Sequence, residues 1–147
     1  MREGAPDEVL EPLLGSRQPQ VRAAGVTALR RTARFAQAEP FLSDRSGIVR
    51  ACARWVLRQR GTDPLPLYRA LCADPTDENL PPGAALGLAE CGTRTDAELL
   101  LPLIGHPVAA VRTRAVAGLR VLGRVSGCDQ FAGCDFAARS SSIDRLA

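Results

Sequence analysis

The chain has 147 residues, of which 46% are apolar, and 19 arginines against 16 acidic residues give it a formal net charge of +3. This length allows one domain with a sizeable core. Because aromatic residues make up only 4% and the apolar residues are mostly Ala, Leu and Val, the composition favours thin layers of helices over a sheet.

Two features of the sequence bear on its location. No segment approaches the roughly 18 uninterrupted apolar residues that a membrane-spanning helix needs, so no contact with a membrane is predicted. The first residues, 1–7, include Glu3 and Asp7 and lack an apolar stretch, so no signal peptide is predicted. We therefore expect a cytoplasmic protein.

One template recurs four times along the chain. Its anchor is an apolar residue that is followed by arginine in three of the four copies and by proline in the other. The four anchors are Val21-Arg22, Val49-Arg50, Leu80-Pro81 and Val111-Arg112. Val49 follows Val21 by 28 residues and precedes Val111 by 62, with Leu80 midway. A period near 30 with helical patterning is typical of stacked helix pairs.

Small residues and leucines follow each anchor at fixed helical spacing. The eighth residue after the anchor is always leucine, and the positions between carry small or β-branched residues on the same helix face. This pattern predicts one buried row of Leu29, Leu57, Leu88 and Leu119. Twelve residues after the anchor stand Ala33, Gly61, Gly92 and Gly123, and the glycines are predicted to end their helices in the left-handed conformation.

The predicted elements are four helix pairs in chain order. They span 6–15 with 19–33, 36–43 with 47–60, 64–73 with 80–91, and 95–104 with 108–122. The predicted fold is all-α, an α-solenoid of about four such pairs, with a repeat domain over residues 1–124. Residues 125–147 lack the anchor and the leucine, so we expect an irregular tail or partial cap that contributes little to stability.

The second repeat resembles a known family. Its run from Asp44 to Ala53 is similar to the HEAT-like repeat of the phycobilisome-lyase type, in which an aspartate stands five residues before a Val-Arg pair. Segments 19–29 and 107–119 repeat the pattern, whereas Leu80-Pro81 departs from it. The resemblance covers about residues 6–123 and implies a helix-pair solenoid, but it leaves the activity open.

The anchor arginines allow two interpretations. They could form a basic stripe for nucleic acid, or a structural ladder in which each guanidinium binds turn carbonyls or an acidic group of the adjacent turn. The resemblance to HEAT-like repeats implies the structural role. The predicted ladder consists of Arg22, Arg50, Arg112 and Asp44.

A second set of arginines lies off the leucine face of the second helices. In helix-pair solenoids these helices commonly line the concave surface, so the set could contact a partner protein or neutralise phosphates. No aromatic residue is expected to interleave with these cations. The possible partner-binding residues are Arg30, Arg31, Arg34, Arg54, Arg58, Arg60 and Arg120.

No catalytic, cofactor-binding or metal-binding motif is predicted. His106, the one histidine, follows Gly105 in a turn and is expected to cap it, and Asp77 and Glu78 are expected to be solvated. The five cysteines contain no CxxC pair, so those in helices are expected to act as small apolar residues. The chain is therefore predicted not to be an enzyme and to need no cofactor.

These observations favour a non-catalytic scaffold whose second helices dock an unidentified partner protein. The alternative is nucleic-acid binding through the arginine-rich face, as in HEAT-like DNA glycosylases. Against that enzyme class, Trp55 stands without the expected cluster of aspartate and tryptophan. A chromophore-lyase activity, after which the repeat type is named, has no support in these residues.

Overall fold

The helical prediction can be compared with a computed structural model, which describes residues 7–125. These residues form helices joined by short connections, and the predicted all-α class is confirmed for this part of the chain. The tail residues 126–147 lie outside the described residues. The helices are α1 (Asp7–Leu14), α2 (Pro19–Ala28), η1 (Phe35–Ser43), α3 (Gly47–Gln59), α4 (Pro64–Cys72), α5 (Pro82–Cys91), η2 (Arg94–Asp96), α6 (Ala97–Leu100), η3 (Leu101–Gly105) and α7 (Ala109–Val125), where η denotes a 3₁₀ helix.

Two of the four predicted first helices are not regular α-helices. The second pair begins with the 3₁₀ helix η1, which has Pro40 inside it. The fourth begins with the succession η2, α6 and η3, and Pro102 lies at the start of η3. Proline lacks an N–H donor and its ring clashes with the carbonyl four residues earlier, so a continuous α-helix is costly at both places.

The ends of α2 and α3 share one hydrogen-bond pattern. After α3, Gly61 has φ +85°, and the N–H of Thr62 donates to the carbonyl of Leu57 at 3.0 Å. After α2, Ala33 takes the glycine's place with φ +56°, and the N–H of Arg34 donates to the carbonyl of Leu29 at 3.0 Å. Both are Schellman motifs, which normally need a glycine in the left-handed position.

The other two glycine predictions are wrong. Gly92 follows α5 with an extended backbone, φ −82° and ψ 179°. Gly123 lies inside α7, which continues to Val125. Gly92 instead lies against the capping turn of the next helix, because a Cβ there would come 2.7 Å from Asp96 Oδ2.

The matched positions 33 and 61 generate opposite stability predictions. Ala33→Gly should raise the free energy of unfolding by about 0.5–1 kcal/mol, because an L-residue is strained in this conformation and glycine is not. Gly61→Ala should lower it by about 1 kcal/mol; a Cβ there would meet no atom within 4 Å, so only the backbone is tested. Urea unfolding measures both, and changes of the same sign in the two variants would contradict the shared motif.

The core is a single cluster of apolar side chains between the helices. Leu29, Leu57 and Leu88 are at most 2% exposed and lie within it, whereas Leu119 is half-buried against its edge. Small residues bring the helices close: a Cβ at Gly118 of α7 would lie 3.1 Å from the carbonyl oxygen of Ala85 in α5. The leucine row is therefore buried for three repeats and only partly covered in the fourth.

Successive second helices are joined in two ways. Helix α2 packs on α3, and α5 packs on α7, through direct contact between helices. Helices α3 and α5 are joined mainly through side chains, because Arg50 and Arg54 of α3 reach Glu90 of α5. Over residues 7–125, none of the helices combines the length and apolar character that would let it cross a lipid bilayer.

Candidate binding surface and the arginine network

The anchor arginines bind the turn that precedes their own helix. In each case the Nη1 atom donates to the carbonyl six residues earlier, at 2.7–2.8 Å. Arg22 and Arg112 also reach the next carbonyl of the turn, at 3.1 and 3.0 Å. The donor and acceptor pairs are Arg22 with Ser16, Arg50 with Asp44, and Arg112 with His106.

The residue that supplies this carbonyl also caps the turn with its side chain. Asp44 Oδ1 accepts the N–H of Ser46 at 2.8 Å, and His106 Nδ1 accepts the N–H of Val108 at 3.0 Å. Since Nδ1 accepts, the proton is assigned to Nε2, which donates to the carbonyl of Asp77 at 2.8 Å. His106 therefore caps its own turn and ties it to the preceding one.

Arg22 and Asp44 link the first helix pair to the second. The carboxylate accepts two parallel hydrogen bonds, from Nε at 3.0 Å and from Nη2 at 2.9 Å. Burial alone would raise the pKa of Asp44, but the hydrogen bonds from Arg22 and Ser46 and the arginine charge lower it overall. Paired, geometrically matched bonds of this kind fix both position and orientation.

Arg54 does not lie on an exposed surface, which corrects its prediction as a partner-binding residue. It is 4% exposed, and its Nη1 atom lies 2.7 Å from Glu90 Oε2. The same carboxylate accepts hydrogen bonds from the buried Arg50, and Arg54 also donates to Tyr68 Oη at 3.4 Å. The helical periodicity of the sequence places Arg54 on the polar face of α3. In the structure α4 and α5 cover this face, and their residues Tyr68 and Glu90 form hydrogen bonds with the guanidinium.

Tyr68 completes this buried network. Its hydroxyl donates to the carbonyl of Leu42 at 2.6 Å, and burial raises the pKa of Tyr68 to about 12 against the opposing effect of Arg54. Its ring occupies the space beside Gly87, where a Cβ would overlap it. Glycine at this template position is therefore required by the tyrosine that packs on it.

Removing the shared acceptor should be strongly destabilising. Glu90→Gln leaves two buried guanidiniums without a counter-charge, so we expect the free energy of unfolding to fall by about 3 kcal/mol, at the lower end of the usual range because the Glu90 side chain is 24% exposed. The matched control is Glu98→Gln, an exposed carboxylate on α6. Equal unfolding midpoints for the two variants in urea would show that the Glu90 contacts are not needed.

The other six predicted partner-binding arginines are accessible to differing degrees. Arg30, Arg31, Arg58, Arg60 and Arg120 are exposed, and Arg34 is half-buried. Five of the six lie near the C-terminal ends of α2 and α3, namely Arg30, Arg31, Arg34, Arg58 and Arg60. Arg120 lies on α7, which packs mainly on α5. The structure therefore does not bring all seven predicted residues into one surface.

An aromatic residue does accompany these arginines, contrary to expectation. The guanidinium of Arg30 lies over the Trp55 ring, 5.0 Å from its centroid. Trp55 is half-buried and packs against the core. Arg30 lies in the turn that follows α2 and Trp55 lies on α3, so the pairing depends on the packing of α2 on α3.

The ion pair between Arg69 and Asp96 was not predicted from the sequence, and neither were the pairs of Arg50 and Arg54 with Glu90. Arg69 Nε of α4 donates to Asp96 Oδ1 at 2.8 Å, and Asp96 Oδ2 accepts the N–H of Thr93 at 2.7 Å. The hydrogen bond from Arg69 is the main cause that lowers the pKa of Asp96. The spacing Thr93-x-x-Asp96 is a capping box, a local signal that predicts a helix start here but not the arginine.

The two carboxylates that have a lowered pKa and an arginine partner, Asp44 and Asp96, predict acid sensitivity. Asp44 and Asp96 contribute stability that is present above their unfolded-state pKa of about 3.9 and is lost as the pH falls through their lower folded-state pKa. The melting temperature should therefore fall below about pH 4. Asp44→Asn should lower the melting temperature at pH 7 and flatten its decline in acid, and a decline unaffected by Asp44→Asn would contradict the assignment.

The described part of the chain offers no metal centre. Within residues 7–125, no three His, Cys, Asp or Glu side chains are grouped so as to hold an ion. Cys52, Cys72 and Cys91 are free thiols, and burial raises the pKa of Cys72 to about 12. Cys128 and Cys134 lie outside the described residues.

Comparisons with protein-family models, with curated proteins and with solved structures give no match for this chain. The likeness to HEAT-like repeats therefore stays an interpretation of the repeat pattern.

Proposed function

We propose that the protein is a non-catalytic scaffold, an α-solenoid of about four HEAT-like helix pairs that docks a partner protein in the cytoplasm. The observation that carries this proposal is the repeated contact between an anchor arginine and its turn, extended across pairs by Arg22 and Asp44. Such contacts hold neighbouring pairs in a fixed register. A preorganised surface loses little conformational freedom on binding, which favours recognition.

Exposed side chains supply groups suited to protein contact. Arginine is enriched in interfaces, and Arg30, Arg31 and Arg60 are exposed at the ends of the second helices. On η3, Leu101 and Ile104 are 55% and 44% exposed. Because residues three apart lie on one side of a 3₁₀ helix, these two form a small apolar patch.

Nucleic-acid binding remains the second candidate, and one observation favours it. Arg30 over Trp55 places a cation and an aromatic ring together on the arginine-rich face, as in surfaces that bind single strands. The charge of Arg54, by contrast, is satisfied internally by Glu90. The cluster available to phosphates is thereby smaller than the sequence predicted.

A titration against labelled single-stranded and duplex DNA separates the two candidates. For a scaffold we expect weak binding that is lost near physiological salt, because each neutralised phosphate contributes a log–log slope of about −0.9 on duplex DNA and about −0.7 on single strands. The test variant is Arg31→Glu with Arg60→Glu, since both side chains are exposed and their replacement leaves the buried network intact. Tight binding at physiological salt that this variant abolishes would replace the scaffold proposal with the nucleic-acid one.

The scaffold itself is tested by capture of protein partners on immobilised chain, with and without nuclease treatment. The expected result is a defined set of proteins that survives nuclease and is identified by mass spectrometry. Partners that disappear on nuclease treatment would indicate that nucleic acid bridges them. The Glu98→Gln variant retains the arginine-rich face and is the control for the variant that carries Arg31→Glu and Arg60→Glu.

A further inference from the structure

A groove lies between η1 and α4, which we term the η1–α4 groove. It has a volume of about 780 Å³, within the range of about 300–1,000 Å³ typical of binding pockets. Most of its lining is apolar, including Leu71, which is 38% exposed. The apolar lining residues are Ala36, Pro40, Leu42, Leu67, Ala70, Leu71 and Pro81.

The groove follows from the way the first helices pack. Helix η1 packs on α3 and α5, and α4 packs mainly on α5, so η1 and α4 share a support without filling the space between them. Gly83 allows this arrangement, because a Cβ there would overlap the backbone of Ser43 at the end of η1. The space is thus a consequence of fixed backbone contacts on both sides.

The polar part of the lining is acidic. Ser43 and the carboxylates of Glu39, Asp74 and Asp77 line the groove, and none of the arginines does. Within residues 7–125, none of these three carboxylates forms an ion pair with an arginine. Hydrogen bonds from Thr76 lower the pKa of Asp74.

We propose that the η1–α4 groove binds a short basic amphipathic segment of a partner protein. Apolar side chains of the segment would contact Leu67 and Leu71, and its Lys or Arg side chains would lie beside Glu39 and Asp74. The proposal rests on the scaffold function and specifies the chemistry of one partner. Charge complementarity carries it, because the groove is acidic in a chain whose net charge is positive.

The same chemistry excludes the other kind of partner from this site. A nucleic acid would place phosphates beside three carboxylates without a cation in the lining, and like charges in contact are unfavourable. The groove and the arginine-rich face therefore differ in the sign of the charge that they accept. A binding experiment with peptides of opposite charge can separate them.

The probe is a fluorescein-labelled peptide of about 14 residues, roughly four helical turns, with leucines on one face and lysines on the other. Its matched control carries glutamate in place of every lysine. Fluorescence anisotropy should give at least tenfold tighter binding for the leucine–lysine peptide, with an affinity that falls as salt rises. Equal affinity for the two peptides would overturn the proposal.

Paired variants assign the binding to the groove. Glu39→Lys and Leu71→Ser should each weaken binding roughly threefold to tenfold. The controls are Glu98→Lys and Ile48→Ser, which change an exposed carboxylate and an exposed apolar side chain outside the groove and should stay within about twofold of the wild type. Equal effects of groove and control variants would overturn the proposal, and if Leu71→Ser lowers the melting temperature, Glu39→Lys alone decides.

Failure of this site can be distinguished from failure of the scaffold. If nuclease-resistant partners are captured equally by the wild type and by Glu39→Lys while the leucine–lysine peptide does not bind, the scaffold stands and the groove assignment is wrong. If the peptide binds through the groove but no protein is captured, the site exists and the proposed scaffold function is wrong.

Discussion

Two arginines on α3 are buried, and the Glu90 carboxylate on α5 is the acceptor that makes their burial possible. A guanidinium removed from water without a counter-charge is costly, and both Arg50 and Arg54 are only 4% exposed. Because this acceptor belongs to another helix pair, the need to neutralise the two arginines also constrains how α5 packs relative to α3. Helix α5 must lie where Glu90 reaches both cations, which also places Tyr68 of α4 beside Gly87 and beneath Arg54.

The second helices and the turns stabilise the packing of neighbouring helix pairs in different ways. Leucines and small residues bring the second helices together, but apolar contacts alone permit sliding. Directional bonds at the turns, such as those from Arg22 to Asp44 and from His106 to Asp77, fix the register of one pair on the next. The first helices pack less completely against one another, and the η1–α4 groove lies between two of them.

Features within one helix were predictable from the sequence, whereas contacts between distant helices were not. Helix positions were predictable because an amphipathic period is visible within one helix, and Asp44 could be placed near Arg22 because both occupy fixed template positions. The partner of Arg54 could not be found in this way, since Glu90 is 36 residues away and its direction depends on how α3 and α5 approach. The η1–α4 groove could not be predicted from the sequence either, because it is a space between two helices and no residue pattern indicates it.

The junction between α3 and α5 differs mechanically from its neighbours. A gap of about 0.5–1 Å at the close α5–α7 interface would forfeit about a quarter to a half of the dispersion attraction, whereas the attraction between opposite charges declines with the inverse of distance. The joint at Gly118 therefore resists separation through the fit of its surfaces, whereas the joint at Glu90 resists it through charge, with η1 packed on both of its helices.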